Sequence, residues 1–203
     1  LAFILLLAKL WRTKSCSGIS GKTQILYSIV FTMRYMDLLS PNHYHSYYVS
    51  SAKMAFIALS YLIVYLIYGP YKKSYDREND VVYNEFLIIP CFVLSLYLTQ
   101  QNTPLEILWT FSILLEAVAI MPQLDLLCRV ESIDNHTVCY LVSLGLYRML
   151  YLLNWAYRYS FEGFYDPIAV FSGLLMSVLF AFVFLRICMI KRLERGTMIK
   201  LIV

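Results

Sequence analysis

Residues Pro167 to Ile190 read PIAVFSGLLMSVLFAFVFLRICMI, the most apolar long stretch of the chain. Its only charged residue, Arg186, lies close to its end. Because an α-helix rises about 1.5 Å per residue, a run of this length can cross a hydrocarbon core of about 30 Å. The stretch therefore predicts a membrane-spanning helix.

The remainder of the chain has the same character. Of 203 residues, 60% are hydrophobic and 15% are charged, and the mean hydropathy is +0.63. Soluble domains carry about a quarter charged residues, so this composition excludes an ordinary soluble domain and a disordered chain. The expected surroundings are a lipid bilayer. The net charge of +4 is modest, and no nucleic-acid partner is expected.

Further apolar stretches, separated by short polar breaks, predict an all-α membrane protein with seven transmembrane helices in one domain over 1–203. The predicted spans are 1–11, 23–39, 52–69, 83–101, 104–127, 137–157 and 167–190, with a cytosolic tail over 191–203. Since the sequence begins inside an apolar run, we interpret the first helix as truncated at its N-terminus.

The basic residues predict the orientation of these spans, because cytosolic loops are enriched in Lys and Arg. Most of the 17 basic residues follow spans one, three, five and seven, whereas the opposite side has only Lys53 and Arg158. The C-terminus is therefore predicted to be cytosolic, and the opposite face of the bundle is predicted to be luminal.

Spans two and six share a short internal similarity. RYMDLL at 34–39 resembles RMLYLL at 148–153, and each lies in the middle helix of a triplet if span four is a linker. Three plus one plus three helices is the layout of transporters built from parallel repeats. We therefore predict this 3+1+3 layout.

Charged and polar side chains inside the spans predict a funnel that opens to the lumen. A charged group costs about 2.5–3.5 kcal/mol at the membrane centre on insertion scales, and it is retained where it has a partner or a wet cavity. The predicted mouth contains Asp37, Glu106, Trp109, Trp155, Arg158 and Asp166; the deeper part contains Arg34, Glu116, Tyr147 and Arg148, and Tyr151 and Asn154 continue the stripe of span six outward.

This funnel fits a zwitterionic or peptide-like ligand better than a neutral sugar. Arginine binds a carboxylate through two hydrogen bonds, and the face of a tryptophan attracts an ammonium group. The same charges also have a purely structural interpretation, as the pairs Arg148–Glu116, Arg34–Asp37 and Arg158–Asp166. The sequence leaves both interpretations open.

Motifs for catalysis or metal binding do not occur in the sequence. It contains no Ser-His-Asp order, no glycine-rich phosphate loop and no HExxH motif,. His43 and His45 are interpreted as loop residues, and the five widely spaced cysteines as small apolar residues. We therefore predict a protein that is not an enzyme and that has no metal or cofactor.

Four stretches carry a resemblance to a known family. They are WRTKSCSGISGK at 11–22, FTMRYMDL at 31–38, PLEILWTFSILLEAVAIMPQ at 104–123 and GLYRMLYLLNWAYRYSFEGFYD at 145–166. In these stretches, and over nearly its whole length, the chain resembles the KDEL receptors, also called ER lumen protein-retaining receptors. Pro122-Gln123 also resembles the PQ-loop and SWEET transporters, whose fold is similar to that of the receptors.

The resemblance implies a seven-helix receptor in the membranes of the ER, the Golgi and transport vesicles. Such a receptor binds the C-terminal KDEL or HDEL signal of lumenal proteins in the acidic Golgi. It then recruits the COPI coat and returns its cargo to the neutral ER.

The resemblance also implies a role for each candidate residue. Arg34 and Tyr35 hold the terminal carboxylate of the signal, and Arg158 holds an acidic group. The remaining roles are Asp37, Glu106 and Trp109 for the first Lys or His of the signal, Tyr151, Asn154, Trp155 and Asp166 for the cavity lining, and Glu116, Tyr147 and Arg148 for a deeper coupling network.

Three features depart from the family pattern. The sequence lacks the early arginine and protonatable histidine of the first helix, so the pH-sensing residue is not identified. The loop 40–51 and Asp125 also differ. The tail offers Lys191, Arg192, Arg195 and Lys200 to the coat instead of closely paired lysines. The alternatives are a SWEET or PQ-loop transporter of a sugar or amino acid and a membrane scaffold with a decayed site.

Overall fold

The computed structural model describes residues 2–39, 47–99, 103–163 and 166–202. Within these ranges the chain forms helices and no strand, which confirms the prediction of an all-α protein for the described residues. The α-helices are α1 (Ala2–Thr13), α2 (Gly21–Arg34), α3 (Tyr47–Tyr68), α4 (Glu85–Leu98), α5 (Pro104–Val118), α6 (Met121–Arg129), α7 (Asn135–Glu162) and α8 (Pro167–Ile202).

Several of these helices are long and apolar enough to cross a membrane. Among the described residues they are Tyr47–Tyr68, Pro104–Arg129, Asn135–Glu162 and Pro167–Arg195, and Glu85–Leu98 is a shorter apolar helix. The membrane character predicted from the composition agrees with these helices. The count of seven spans stays a prediction.

Several helix boundaries differ from the predicted spans, and three of the differences affect the site or the tail. α2 ends at Arg34, and Met36–Leu39 forms a 3-10 turn instead of continuing span two. The span predicted at 104–127 is divided near Ala119 and Ile120, because Pro122 has no N–H to continue the helical hydrogen bonds,. The predicted tail is helical to Ile202, since no proline follows Pro167 and most tail residues favour helices,.

The helices form a bundle around α2 and α5. α2 packs against α3, α5 and α6, and α5 also packs against α4 and α8. α1 packs against α3 and α7, and α7 packs against α8. The central helices therefore bring residues that are far apart in the sequence, such as those of 31–38, 104–123 and 145–166, close together.

Buried polar bonds fix one end of this bundle around Gln123. Its side-chain oxygen accepts a hydrogen bond from the Ser20 backbone N–H (2.8 Å), and its side-chain nitrogen donates to the Gly18 carbonyl (2.9 Å). Its backbone N–H donates to the Thr23 hydroxyl (3.0 Å). The start of α6 is thereby tied to the segment that leads into α2.

Candidate ligand-binding site

A cavity of about 320 Å³ lies between α2, α5, α7 and α8, and we call it the inner cavity. Many of the candidate residues form its wall. They are Arg34, Trp109, Glu116, Arg148, Tyr151, Asn154, Trp155 and Arg158. Those from α7 share one face of that helix because they recur every three or four residues. The structure thus brings together eight side chains that the sequence placed in one funnel.

Glu116 is the carboxylate of this cavity and pairs with two arginines. Arg34 and Arg148 each form a salt bridge with it, and the exposed fractions of the three side chains are 17% for Arg34, 11% for Arg148 and 5% for Glu116. The Arg34 Nε also donates to the Ser112 hydroxyl (3.2 Å). Two guanidinium groups thus share one carboxylate, and their excess positive charge favours an anionic ligand such as a carboxylate.

Tyr147 packs on two residues of the wall. Its ring contacts the Tyr151 ring edge-on, with the centroids 5.2 Å apart. The guanidinium carbon of Arg148 lies 4.8 Å from the centre of the Tyr147 ring. Tyr147 therefore connects Arg148 to the tyrosine stripe of α7.

A second cavity of about 350 Å³ adjoins the end of α2, and we call it the outer cavity. It is lined by Asp37 and Glu106, and Arg34 and Trp109 line both cavities. Glu106 lies in the first turn of α5, about 15 Å along the helix from Glu116,. Two carboxylates and the shared Arg34 line the outer cavity, and three arginines and one carboxylate line the inner cavity, so together they suit a ligand that carries an ammonium group and a carboxylate.

Lys53 pairs with the candidate residue Asp37, a contact that the sequence reasoning missed. Its Nζ lies 2.5 Å from Asp37 Oδ2 and 5.7 Å from the centre of the Tyr35 ring. Lys53 is on α3, and the pairing is set by tertiary packing. The only signal in the sequence was that Lys53 is one of two basic residues on the predicted luminal side.

The remaining candidates of the funnel mouth lie at helix ends. Asp166 precedes α8, and its Oδ1 accepts hydrogen bonds from the N–H groups of Ile168 (3.0 Å) and Ala169 (3.3 Å). The Arg158 Nε donates to Glu162 Oε2 (2.8 Å), a carboxylate that the sequence reasoning did not consider. Tyr35 follows the last residue of α2 and stacks on the Phe31 ring.

The candidate coat-binding residues lie at the far end of α8. Lys191 Nζ donates to the Ile133 carbonyl (2.6 Å) and to Glu194 (2.9 Å). Arg192 and Arg195 are exposed. The Lys200 side chain, like His43 and His45, lies outside the described residues. Lys191 is therefore engaged within the protein, whereas both arginines face the surroundings.

The bundle has several helices long and apolar enough to cross a membrane, and two adjoining cavities among them are lined by charged side chains, as expected for a membrane protein with a polar cavity. A family model described as ER lumen protein retaining receptor matches residues 15–158. The chain belongs to this family, the KDEL receptors, which are membrane proteins of the secretory pathway. The recognition made from the sequence motifs is confirmed.

Individual relatives are similar over most of the chain. ER lumen protein-retaining receptor 3 of Xenopus laevis is 51% identical over 180 residues, which cover 89% of this chain and 83% of the relative. Receptor 3 of Mus musculus is 49% identical over the same shares of both chains. Receptor 2 of Gallus gallus is 50% identical over 88% of this chain and 84% of the relative. All three are named as receptors and not as enzymes.

Proposed function

We propose that this chain is a non-enzymatic sorting receptor that binds the C-terminal KDEL or HDEL signal of lumenal proteins and returns them from the Golgi to the ER. The observation that carries the proposal is the pair of adjoining cavities of opposite charge. A C-terminal peptide that begins with Lys or His has a cationic end and an anionic end, and so matches them.

In this proposal each end of the signal meets groups of opposite charge. The terminal carboxylate enters the inner cavity, where Arg34 and Arg158 are on the wall and Tyr35 is adjacent to Arg34. The first Lys or His enters the outer cavity, where it meets Asp37 and Glu106. The indole face of Trp109 lies between the two positions, since Trp109 lines both cavities.

We also propose the seven-span, 3+1+3 layout, similar to that of the SWEET and PQ-loop transporters. If α1, α2 and α3 correspond to α5, α7 and α8, the helix contacts match in pairs. The contact of α1 with α7 corresponds to that of α5 with α2, α2 with α3 corresponds to α7 with α8, and α1 with α3 corresponds to α5 with α8. With the basic loops in the cytosol, the end of the bundle that contains Asp37 and Glu106 faces the lumen.

Retrieval requires that binding in the acidic Golgi be coupled to coat recruitment in the cytosol. Protonation of the receptor in the acidic Golgi strengthens its binding of the acidic signal. On the cytosolic side, Arg192 and Arg195 at the end of α8 are the groups most available to the coat. If ligand binding favours the coat-competent form, coat binding must favour the ligand-bound form to the same extent.

Direct peptide binding at two pH values tests this function. A Lys-Asp-Glu-Leu peptide is expected to bind the purified protein at about pH 5.5 and to dissociate at about pH 7.4, across the range in which histidine titrates. The same peptide with a C-terminal amide serves as the control and should bind much more weakly. Binding that is insensitive to the amide contradicts the proposal. Saturable solute uptake into liposomes without peptide binding would favour the transporter alternative.

Removal of Lys53 is expected to tighten binding of a signal that begins with lysine. In Lys53→Met, Asp37 is released from its internal cation, and the ligand ammonium no longer competes for it. The gain is expected to be about two- to fivefold in Kd, because a partly exposed ion pair contributes up to about 1 kcal/mol. The measurement is isothermal titration with Lys-Asp-Glu-Leu and Ala-Asp-Glu-Leu peptides.

The matched control is Lys53→Arg, which keeps the cation and should leave the affinity for both peptides within about twofold. The peptide with alanine first should gain little from Lys53→Met, because it has no side-chain ammonium to compete. An equal gain for both peptides would show that Lys53 does not compete with the ligand cation.

A further inference from the structure

A third cavity, of about 680 Å³, lies at the end of the bundle opposite the inner and outer cavities. It is bounded by the first turn of α2, the end of α3 and the residues that precede α4. We call it the basic basin. Three cationic side chains and three tyrosines face it: Lys22, Lys72, Arg77, Tyr68, Tyr75 and Tyr83.

The carboxylate of Asp80 in this wall is already satisfied by the protein. Asp80 is 2% exposed and accepts hydrogen bonds from the Ser20 hydroxyl (2.9 Å), the Lys22 backbone N–H (3.2 Å) and the Tyr75 hydroxyl (2.6 Å). Burial and the hydrogen bond to Asp80 raise the pKa of Tyr75, so its hydroxyl remains a donor at neutral pH. Asp80 thus holds the segment before α2 and the loop 69–84 together, and its carboxylate is engaged within the protein.

The net charge that faces the basin is positive. Lys72 and Arg77 are exposed, and Glu78 is the one exposed carboxylate that lines this cavity. The Lys22 ammonium lies 5.4 Å from the centre of the Tyr83 ring, which holds it at the rim. The three cations therefore line one cavity between the loop 69–84 and the start of α2.

The basin lies where the bundle leaves the apolar layer. Tyr68 is the last residue of a helix long enough to cross a membrane, and Tyr83 precedes the apolar helix α4. Tyrosine is enriched at the headgroup level of a bilayer. In the proposed orientation this end faces the cytosol, whose leaflet is rich in anionic lipids, and basic pockets there bind phosphorylated headgroups.

We propose that the basic basin binds a phosphorylated inositol headgroup, presented by a phosphoinositide in the cytosolic leaflet. Convergent cations favour a group with several phosphate charges over a singly charged headgroup, and the Arg77 fork matches phosphate oxygens in a bidentate manner. The tyrosine hydroxyls can hydrogen-bond to the ring hydroxyls of inositol. This site is independent of the peptide-binding cavities and requires only the proposed orientation.

The test compares lipids bound by the purified protein in native mass spectrometry. The probes are a short-chain phosphatidylinositol bisphosphate, a short-chain phosphatidylserine and free inositol trisphosphate. The phosphoinositide is expected to bind at least about tenfold more tightly than phosphatidylserine. The variant Lys22→Gln/Lys72→Gln/Arg77→Gln should lose at least about tenfold in this affinity, or about 1.4 kcal/mol.

A control variant removes three exposed charges from the same face of the membrane but outside the basin: Arg12→Gln/Lys14→Gln/Arg129→Gln. It should keep its affinity for the phosphoinositide within about twofold. Both variants should bind the Lys-Asp-Glu-Leu peptide as the parent does, which shows that they are folded and separates this test from that of the receptor function.

Each outcome bears on the proposal. If both the phosphoinositide and free inositol trisphosphate bind, the result supports recognition of the headgroup. If only free inositol trisphosphate binds, the result supports the same site with a soluble ligand instead of a lipid. Equal affinity for phosphatidylserine and the phosphoinositide overturns the proposal, and so does an equal loss in the control variant, because either would show attraction by net charge alone.

Discussion

Glu116→Gln is expected to lower the free energy of unfolding by about 3–5 kcal/mol, the usual cost of removing one partner of a buried ion pair. Glu116 is the shared carboxylate of Arg34 and Arg148. Without it, two guanidinium groups remain in the interior with no compensating charge. Unfolding in mixed detergent micelles, followed by circular dichroism, measures the change.

The matched control is Glu131→Gln, which neutralises an exposed carboxylate. Surface substitutions of this kind change stability by about 0.5 kcal/mol or less. Adding Arg148→Met to Glu116→Gln should recover part of the loss, because one uncompensated charge is then removed. If Glu116→Gln costs no more than the control, Glu116 does not hold the two arginines as described.

Arg34→Lys is expected to weaken binding of a Lys-Asp-Glu-Leu peptide at least tenfold, or by about 1.4 kcal/mol. One guanidinium here bonds Glu116 and the Ser112 hydroxyl and still lines both cavities. A lysine has a single nitrogen and cannot reproduce this fork. Isothermal titration at about pH 5.5 gives the dissociation constant.

The control for this variant is Arg129→Lys. Arg129 is exposed at the end of α6 and pairs with Asp125 (3.0 Å). The same replacement there should leave peptide affinity within about twofold. An unchanged affinity in Arg34→Lys would remove Arg34 from the binding site.

The gathering of the charged side chains could be predicted from the sequence, because the membrane penalises isolated charges. Not all of their partners could be predicted. Arg34 and Asp37 are spaced for one helix face, but α2 ends at Arg34 and the chain continues as a 3-10 turn. Arg34 consequently pairs with Glu116, and Asp37 pairs with Lys53. The pairing of Arg148 with Glu116, one of the two interpretations left open, is present.

Residues missed by the sequence reasoning share a physical cause. Lys53 is brought to Asp37 by the packing of α3 against α2, and no spacing rule within one helix predicts such a contact. Glu162 pairs with Arg158 at i, i+4, but α7 continues past the predicted end of its span at residue 157, so a helical pair at this position was not considered. Periodicity predicts the helices, whereas their ends and pairings depend on tertiary packing.

The position of Arg34 and Trp109 has a consequence for ligand length. Because both side chains line the two cavities, the cavities adjoin at Arg34 and Trp109. In the proposed binding mode, the spacing of the two cavities limits the separation between the charged ends of the ligand. A signal that is one residue shorter or longer is therefore expected to lose the contacts of one end.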